Sequence, residues 1–253
     1  MSQSVDRALT ILTLCAERPH TLNELAEHLG VHRTTALRLL QPMEARGFAR
    51  RTSDGLFTVG SAFTRIGEAS REALELRTLA RPQLERLSSE FGHTVHLSEP
   101  RGAEVVYIDK IEGRGAVRMH SKVGAPVVLH TAAVAKAILA FSPAETAQRV
   151  LDTMTFEPFT DTTITSRDAY LAELAATRQH GWAHDDGEFE NYLNCIAVPI
   201  FDHTSFARGS LSVTALRALE PLAELEKRVP RLRAAAAEIS RSLGYTESDT
   251  AHD

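Results

Sequence analysis

The 253-residue sequence has two cysteines, Cys15 and Cys195, and no other thiol. They stand far apart, and neither has a histidine or second cysteine at zinc-motif spacing. This argues against a disulfide scaffold and a structural zinc site, and points to a reducing cytoplasm. No apolar run reaches membrane-spanning length, and no basic, apolar leader opens the chain, so neither a membrane span nor secretion is expected. Internal repeats and low-complexity tracts are also missing. Charge is not strongly of one sign: the net value is −5, with 24% charged and 43% hydrophobic residues, a globular composition. The length suffices for two modest domains, each with its own core.

What is present is concentrated between Thr21 and Leu40. Thr21 is a good N-cap, and Glu24 three residues on completes a capping box. Leu22, Leu25, Ala26 and Leu29 then recur at helical spacing. Gly30, free to take positive φ, stops that helix. A second helix follows from about His32, with Ala36, Leu39, Leu40 and Met43 as its inner stripe. Its other face carries His32, Arg33, Thr34, Thr35 and Arg38. Two short helices joined this tightly read as a helix-turn-helix, whose second helix enters the major groove of double-stranded DNA. Pro42 should kink or end that helix near Gln41, and because the apolar pattern continues to Met43 a kink is expected.

The next stretch strengthens the reading. Phe48–Thr52 and Leu56–Val59 are β-prone runs around Asp54-Gly55, a hairpin signal. A hairpin after a recognition helix is the wing of a winged helix, and Arg50 and Arg51 sit where a wing meets phosphate. The acidic net charge does not oppose this. Residues 1–60 hold seven Arg and six acidic residues, a net of +1, and the remainder carries −6. Local sign governs contact with phosphate.

Around this core, the spacing predicts a first helix over Ser4–Ala16 with Val5, Ala8, Leu9, Leu12 and Cys15 inward. A linker helix is expected from Ser61 to about Arg77, carrying Phe63, Ile66, Ala69, Ala73 and Leu74. Pro82 is expected near the start of a further helix closed by Gly92. Strands are read at His93–Glu99, Glu104–Ile111, Ala116–Lys122, Cys195–Phe201 and Ala207–Ala215. Helices are read from Thr131 to Phe141, after Ser142 in a second capping box, over Arg167–His180 between Ser166 and Gly181, and over Pro221–Leu243 with a break near Pro230. The order suggests an α+β domain on an antiparallel sheet. The expected domains are a winged helix-turn-helix at 1–60, a linker helix at 61–77, a second domain at 78–246 and a polar tail at 247–253.

Three segments of the second domain could converge. Leu129–Lys136 is a helix start with small residues, whose first N–H groups suit an anion. Gly181–Glu188 leads into Asn194–Asp202. In Gly209–Thr214, strand alternation puts Ser210, Ser212 and Thr214 on one face and Leu211 and Val213 on the other. A polar face there implies solvent or a ligand.

Gly181, Asp185, Glu188, Cys195-Ile196-Ala197 and Ile200-Phe201-Asp202 fall at the spacing of a long signature. With the winged helix and the Leu129–Ala137 run, nearly the whole chain, Ser4 to Gly244, resembles the IclR family of bacterial transcriptional regulators. The resemblance implies a GAF-like effector domain after the linker helix, homodimers or homotetramers on palindromic operators, and control by a small metabolite, often an organic or aromatic acid. It places effector contacts at the backbone of Ala133 and Val134 and the side chains of Asp185, Cys195, Ser212 and Thr214. The family commonly has glycine where this chain has Ala135 and Tyr192, and both are expected to add bulk near the pocket.

Other chemistry is weaker. Cys195 with His184 and Asp185 could form a nucleophile site, but the cysteine begins a strand and reads as a pocket-wall thiol. Gly181 breaks the helix that would align His180 and His184 as metal ligands. Asp185 is expected to accept from a ligand, and Glu188 to be structural. The expectation is a regulator with no cofactor, no metal and no catalytic residues. The alternatives are a small-molecule hydrolase fused to a DNA-binding domain and a regulator without a ligand.

Overall fold

In the computed structural model, which describes residues 3–73, 75–114 and 121–246, the chain divides into two units, 1–73 and 74–253. The first opens with α1 (Gln3–Glu17), whose buried residues are Ile11 and Cys15. Val5 and Leu9, expected inward, are 58% and 59% exposed. Ile11 draws the inner stripe toward Ala8, Ile11 and Cys15, and leaves Val5 and Leu9 on the flank.

Helix α2 (Leu22–His28) starts on the expected capping box. Thr21 Oγ1 accepts from the Glu24 N–H at 3.2 Å, and the Glu24 carboxylate accepts from the Thr21 N–H at 2.7 Å. These bonds, with Arg18, hold the Glu24 carboxyl down at about 2. Gly30 follows at φ +60°. Helix α3 (Arg33–Ala45) buries Ala36, Leu40 and Met43. It runs through Pro42, as the apolar stripe to Met43 implies. The proline lies in the last turn, where its missing N–H leaves only the Arg38 carbonyl without its helical donor.

Strands β1 (Ala49–Arg51) and β2 (Phe57–Val59) pair antiparallel, with Arg50 opposite Thr58. His20 adds a third partner, exchanging backbone bonds with Phe57 at 2.9 and 2.7 Å. At the exit of β2, Gly60 lies against the Gly47 carbonyl so closely that a Cβ there would be 2.1 Å from its oxygen. Helix α4 (Ala62–Ala73) follows, shorter than the expected linker helix. Arg77 belongs to the next helix. The side chains of Ala69 and Ala73, and all of Leu74, lie outside the described residues.

The second unit begins with α5 (Leu76–Phe91), which contains Pro82 in its second turn instead of starting at it. Strands β3 (Thr94–Arg101) and β4 (Glu104–Ile111) form a hairpin. After them come α6 (Ala133–Ala140), α7 (Ala144–Thr153), α8 (Arg167–His180), β5 (Ala183–Asp186), β6 (Leu193–Phe201) and β7 (Ala207–Leu216). The chain closes with α9 (Leu222–Leu225), a 3-10 turn and α10 (Val229–Ser242), which has Pro230 in its first turn. Strand β5 was not expected from the sequence. The expected strand at Ala116–Lys122 falls largely on residues 115–120, and the polar tail on 247–253, outside the described residues. Ser142 makes no capping box, because its hydroxyl donates to the Ile138 carbonyl at 2.8 Å and so closes α6 instead.

The five strands are ordered β4-β3-β7-β6-β5 and all pair antiparallel. The result is the expected α+β architecture. Leu97, Ile196, Val198, Leu211 and Val213 face α5 and α10 and form the larger core. On the opposite face, Val105, Ala183 and Ala197 meet α6, and α6 packs on α8 through Leu139, Ala140, Tyr170 and Leu174. Strand β4 carries a bulge. Leu97 pairs with Asp109 and Ser98 with Tyr107, so Ile108 has no partner. Ile108 and Asp109 therefore both turn toward the α5 side, where Asp109 meets Arg81 at 3.0 Å. Tyr107 and Lys110 turn to the α6 side. Among the described residues, no helix is long and apolar enough to cross a membrane.

Candidate functional site

Two surfaces carry the expected chemistry, one in each unit. In the first, the inner stripe of α3 is anchored on α1 and the wing. The opposite face is thereby presented outward: His32, Arg33, Thr34 and Arg38 are exposed, and Thr35 is half-buried. Among the described residues no carboxylate pairs with Arg33, Arg38 or Arg50. His32 has a second role that its side-chain type did not suggest. It is the N-cap of α3, with Nδ1 accepting from the Thr34 N–H at 3.4 Å and lying 3.0 Å from Thr34 Oγ1. Arg51 donates from Nε to the Gly55 carbonyl at 3.2 Å, and its guanidinium stands 5.6 Å from the Phe57 ring centre. Arg51 thus braces the wing tip while keeping further donors available.

In the second unit a cavity of about 290 Å³ lies between the sheet and the start of α6. Ala133, Val134, Asp185, Cys195 and Thr214 are on its wall. The pairing explains their convergence, because Asp185, Cys195 and Thr214 stand in one row across β5, β6 and β7. Ser212 is not on the wall. It occupies the next row, between Ala197 and His96, with its hydroxyl buried near Cys195. Helix α6 has no side-chain cap, and the N–H groups of Ala133 and Val134 have no acceptor among the described residues. These are free donors at the positive end of a helix dipole.

Opposite them, burial pushes the Asp185 carboxyl up to about 6, while the Glu188 N–H, donating to Oδ1 at 2.7 Å, and the Lys136 cation pull it down. It is mainly ionised at neutral pH. The Cys195 thiol is pushed up to about 12 by burial, the opposite of an activated nucleophile, and Thr214 Oγ1 donates to its sulfur at 3.3 Å. Glu188 is buried against Lys136 and carries the structural role expected of it. Ala135 and Tyr192 do not reshape the cavity as expected. Ala135 is buried among Ala183 and Ala197, and Tyr192 is 43% exposed beside Glu190.

Thr131, in the Leu129–Lys136 segment, also lines the cavity, as do His96, Tyr107 and Phe189, which the sequence reading missed. Thr94, His96 and Ser98 alternate with Val95 and Leu97 just as the polar residues of β7 do, which was a usable signal. Burial, with Lys110 nearby, pushes His96 down to about 3, so it is neutral, and Nε2 lies 2.8 Å from Ser121 Oγ. A threonine cluster holds the turn after Asp185: Thr160 donates to the Gly187 carbonyl at 2.7 Å and Thr163 to that of Glu188 at 2.6 Å. Among the described residues no group of three His, Cys, Asp or Glu side chains converges as for a metal. His180 and His184 instead flank the Trp182 ring.

A winged helix-turn-helix joined to an α+β domain with a cavity between sheet and helix is the build of a transcriptional regulator. Comparison with known proteins identifies which kind. Residues 4–53 match the IclR helix-turn-helix domain, and residues 69–241 match the bacterial transcriptional regulator IclR C-terminal domain. The chain belongs to the IclR family. It is 30% identical to the HTH-type transcriptional regulator KipR of Bacillus subtilis over 97% of this chain and 98% of that one. Identity to the HTH-type transcriptional regulator XynR of Escherichia coli is 32%, over 96% and 98%. The crystal structure of the Thermotoga maritima IclR superposes with a TM-score of 0.65 at 30% identity, covering 97% of this chain and all of that one.

Proposed function

We propose that this regulator binds a palindromic double-stranded DNA operator in the cytoplasm as a homodimer or homotetramer, and that a small anionic effector held in the cavity sets its affinity. One observation carries the effector reading: two α6 amides with no acceptor among the described residues and the half-buried Asp185 carboxylate line the same cavity. The amides suit a carboxylate. Asp185 repels that group, so it accepts a hydrogen bond from a hydroxyl at the ligand's other end. A small hydroxy acid or a hydroxylated aromatic acid meets both requirements. Thr214 serves beside Asp185, Cys195 closes the wall as an unreactive thiol, and Ser212 supports the row behind. A hydrolase reading has no activated nucleophile among the described residues of the cavity wall to support it.

Calorimetric titration of hydroxy, keto and hydroxylated aromatic acids tests this. Asp185→Ala is expected to weaken the best ligand at least about tenfold, the loss of one hydrogen bond to a charged group, and to leave apo DNA binding unchanged. In the wild type, affinity should fall as pH drops through about 6, where Asp185 gains a proton. Tightest binding by an uncharged or cationic ligand, or equal affinity in both proteins, overturns the assignment.

The assembly reading rests on the first unit, where Val5 and Leu9 of α1 and Phe63 and Ile66 of α4 are exposed. These apolar side chains are proposed to meet a second copy, since one winged helix reads too short a site for useful specificity. Light scattering at micromolar concentration should give at least a dimer, and Leu9→Glu with Ile66→Glu should shift it toward monomer. A monomeric wild type, with and without operator, removes the proposal.

A further inference from the structure

Lys136 is fully buried, yet it lies one helical turn beyond Ala133, whose amide faces the cavity. Its Nζ donates to the His184 carbonyl at 2.9 Å and to the Glu188 carboxylate. Those acceptors flank Asp185 on both sides in sequence, and the Glu188 N–H itself holds Asp185 Oδ1. One side chain thus ties the donor end of the cavity to its acceptor end. A buried ion pair is costly to desolvate, and an apolar pair of similar volume fills space as well. What the charged pair adds is a fixed geometry and a cation close to Asp185.

We propose that Lys136 is the positioning residue of the cavity: through Glu188 and the His184 carbonyl it fixes Asp185 relative to the α6 amides, and supplies its counter-charge. This rests on the reading of Asp185 as the ligand acceptor. Other charged or titratable groups face the cluster. Glu173 reaches it from α8 at 4.0 Å from Nζ, His184 and Asp186 from β5, Glu190 from the following turn, Glu226 from the 3-10 turn, and Tyr107 and Cys195 from the sheet. Lys136 is the cation that acts on Asp185, Glu188 and Cys195 alike.

The test needs no ligand. In the full-length protein with carbon-13-labelled aspartate, the Asp185 carboxyl signal is followed against pH, assigned by its loss in Asp185→Asn. Lys136→Met should raise the titration midpoint from about 6 by about one pH unit, as removal of a nearby cation does, and Lys136→Arg should keep it near the wild-type value. If Lys136→Met does not fold, Lys136→Met with Glu188→Gln, which removes both members of the ion pair, should titrate about one pH unit above Glu188→Gln alone. A role confined to packing would shift the melting temperatures and leave the midpoint where it was. A folded variant lacking the lysine whose Asp185 titrates at the same pH as its counterpart with the lysine overturns the proposal. Failure of the effector reading appears separately, as ligand affinity unchanged in Asp185→Ala, and does not move this midpoint.

Discussion

Gly60→Ala is expected to unfold the wing and abolish DNA binding. The added Cβ would stand 2.1 Å from the Gly47 carbonyl oxygen, 2.7 Å from its carbon and 3.1 Å from the Ala49 carbonyl oxygen. All three are backbone atoms, so no rotamer change relieves the contact. The surrounding backbone is also pinned: the Gly60 N–H donates to Phe48 at 2.9 Å, and the Ala62 N–H donates to Gly47 at 2.9 Å. Relief must separate α3, the hairpin and the start of α4. Overpacking of ordinary cores costs about 1–3 kcal/mol, and a rigid backbone clash should exceed about 3 kcal/mol, a large share of a domain's stability. Chemical denaturation and fluorescence anisotropy on duplex DNA measure both effects. Gly67→Ala is the control, because nothing lies within 4 Å of its Cβ position in α4. It should be neutral or stabilise by up to about 1 kcal/mol. A Gly60→Ala protein that melts and binds like wild type would show the junction to be packed differently.

Arg38→Ala should weaken operator binding by about 1–3 kcal/mol and relax sequence preference. Arg38 is exposed on the outer face of α3, one turn or so beyond Arg33, and no described carboxylate competes for it. A helix in the major groove turns such a guanidinium to base edges. Arg51→Ala should act differently. Arg51 is on the wing and already spends one donor on the Gly55 carbonyl, so its remaining donors suit phosphate. Its loss should weaken all duplexes alike and flatten the salt dependence. Titrations of operator and scrambled duplex at several salt concentrations separate the two. Unchanged operator affinity in Arg38→Ala would show that α3 docks by another face.

Local signals made the first unit legible. The Thr21–Glu24 box, Gly30 and Asp54-Gly55 each act within a few residues, and each appears where the spacing places it. The errors concern rotation and length. In the first unit Ile11 turned α1; in the second, Pro82 was tolerated inside α5 because neighbouring packing outweighs one lost bond. In the second unit the row of Asp185, Cys195 and Thr214 depends on strand register across β5, β6 and β7, which no local pattern encodes. The family resemblance supplied those residues before the geometry did. It did not supply His96 or Tyr107, which reach the cavity from another hairpin. Nor did it foresee that Ala135 and Tyr192 are not on the cavity wall.

The unpaired Ile108 in β4 has a consequence for any attempt to edit or align this chain. A strand alternates faces like a two-beat rhythm, and Ile108 is the extra beat that resets it. Upstream of it, odd-numbered residues face α6. Downstream, even-numbered ones do. Deleting Ile108 would make the pairing regular: Asp109 would follow Tyr107 directly, still opposite Leu97 and turned to Arg81, and Lys110 would keep its side. Keeping Ile108 but straightening the bulge would instead transpose Asp109 and Lys110, so that the acid that binds Arg81 would turn to the α6 side and the lysine that holds the Ser121 carbonyl would point into the helix layer. An alignment that moves this one-residue difference elsewhere in the hairpin therefore exchanges the chemistry of two surfaces at once.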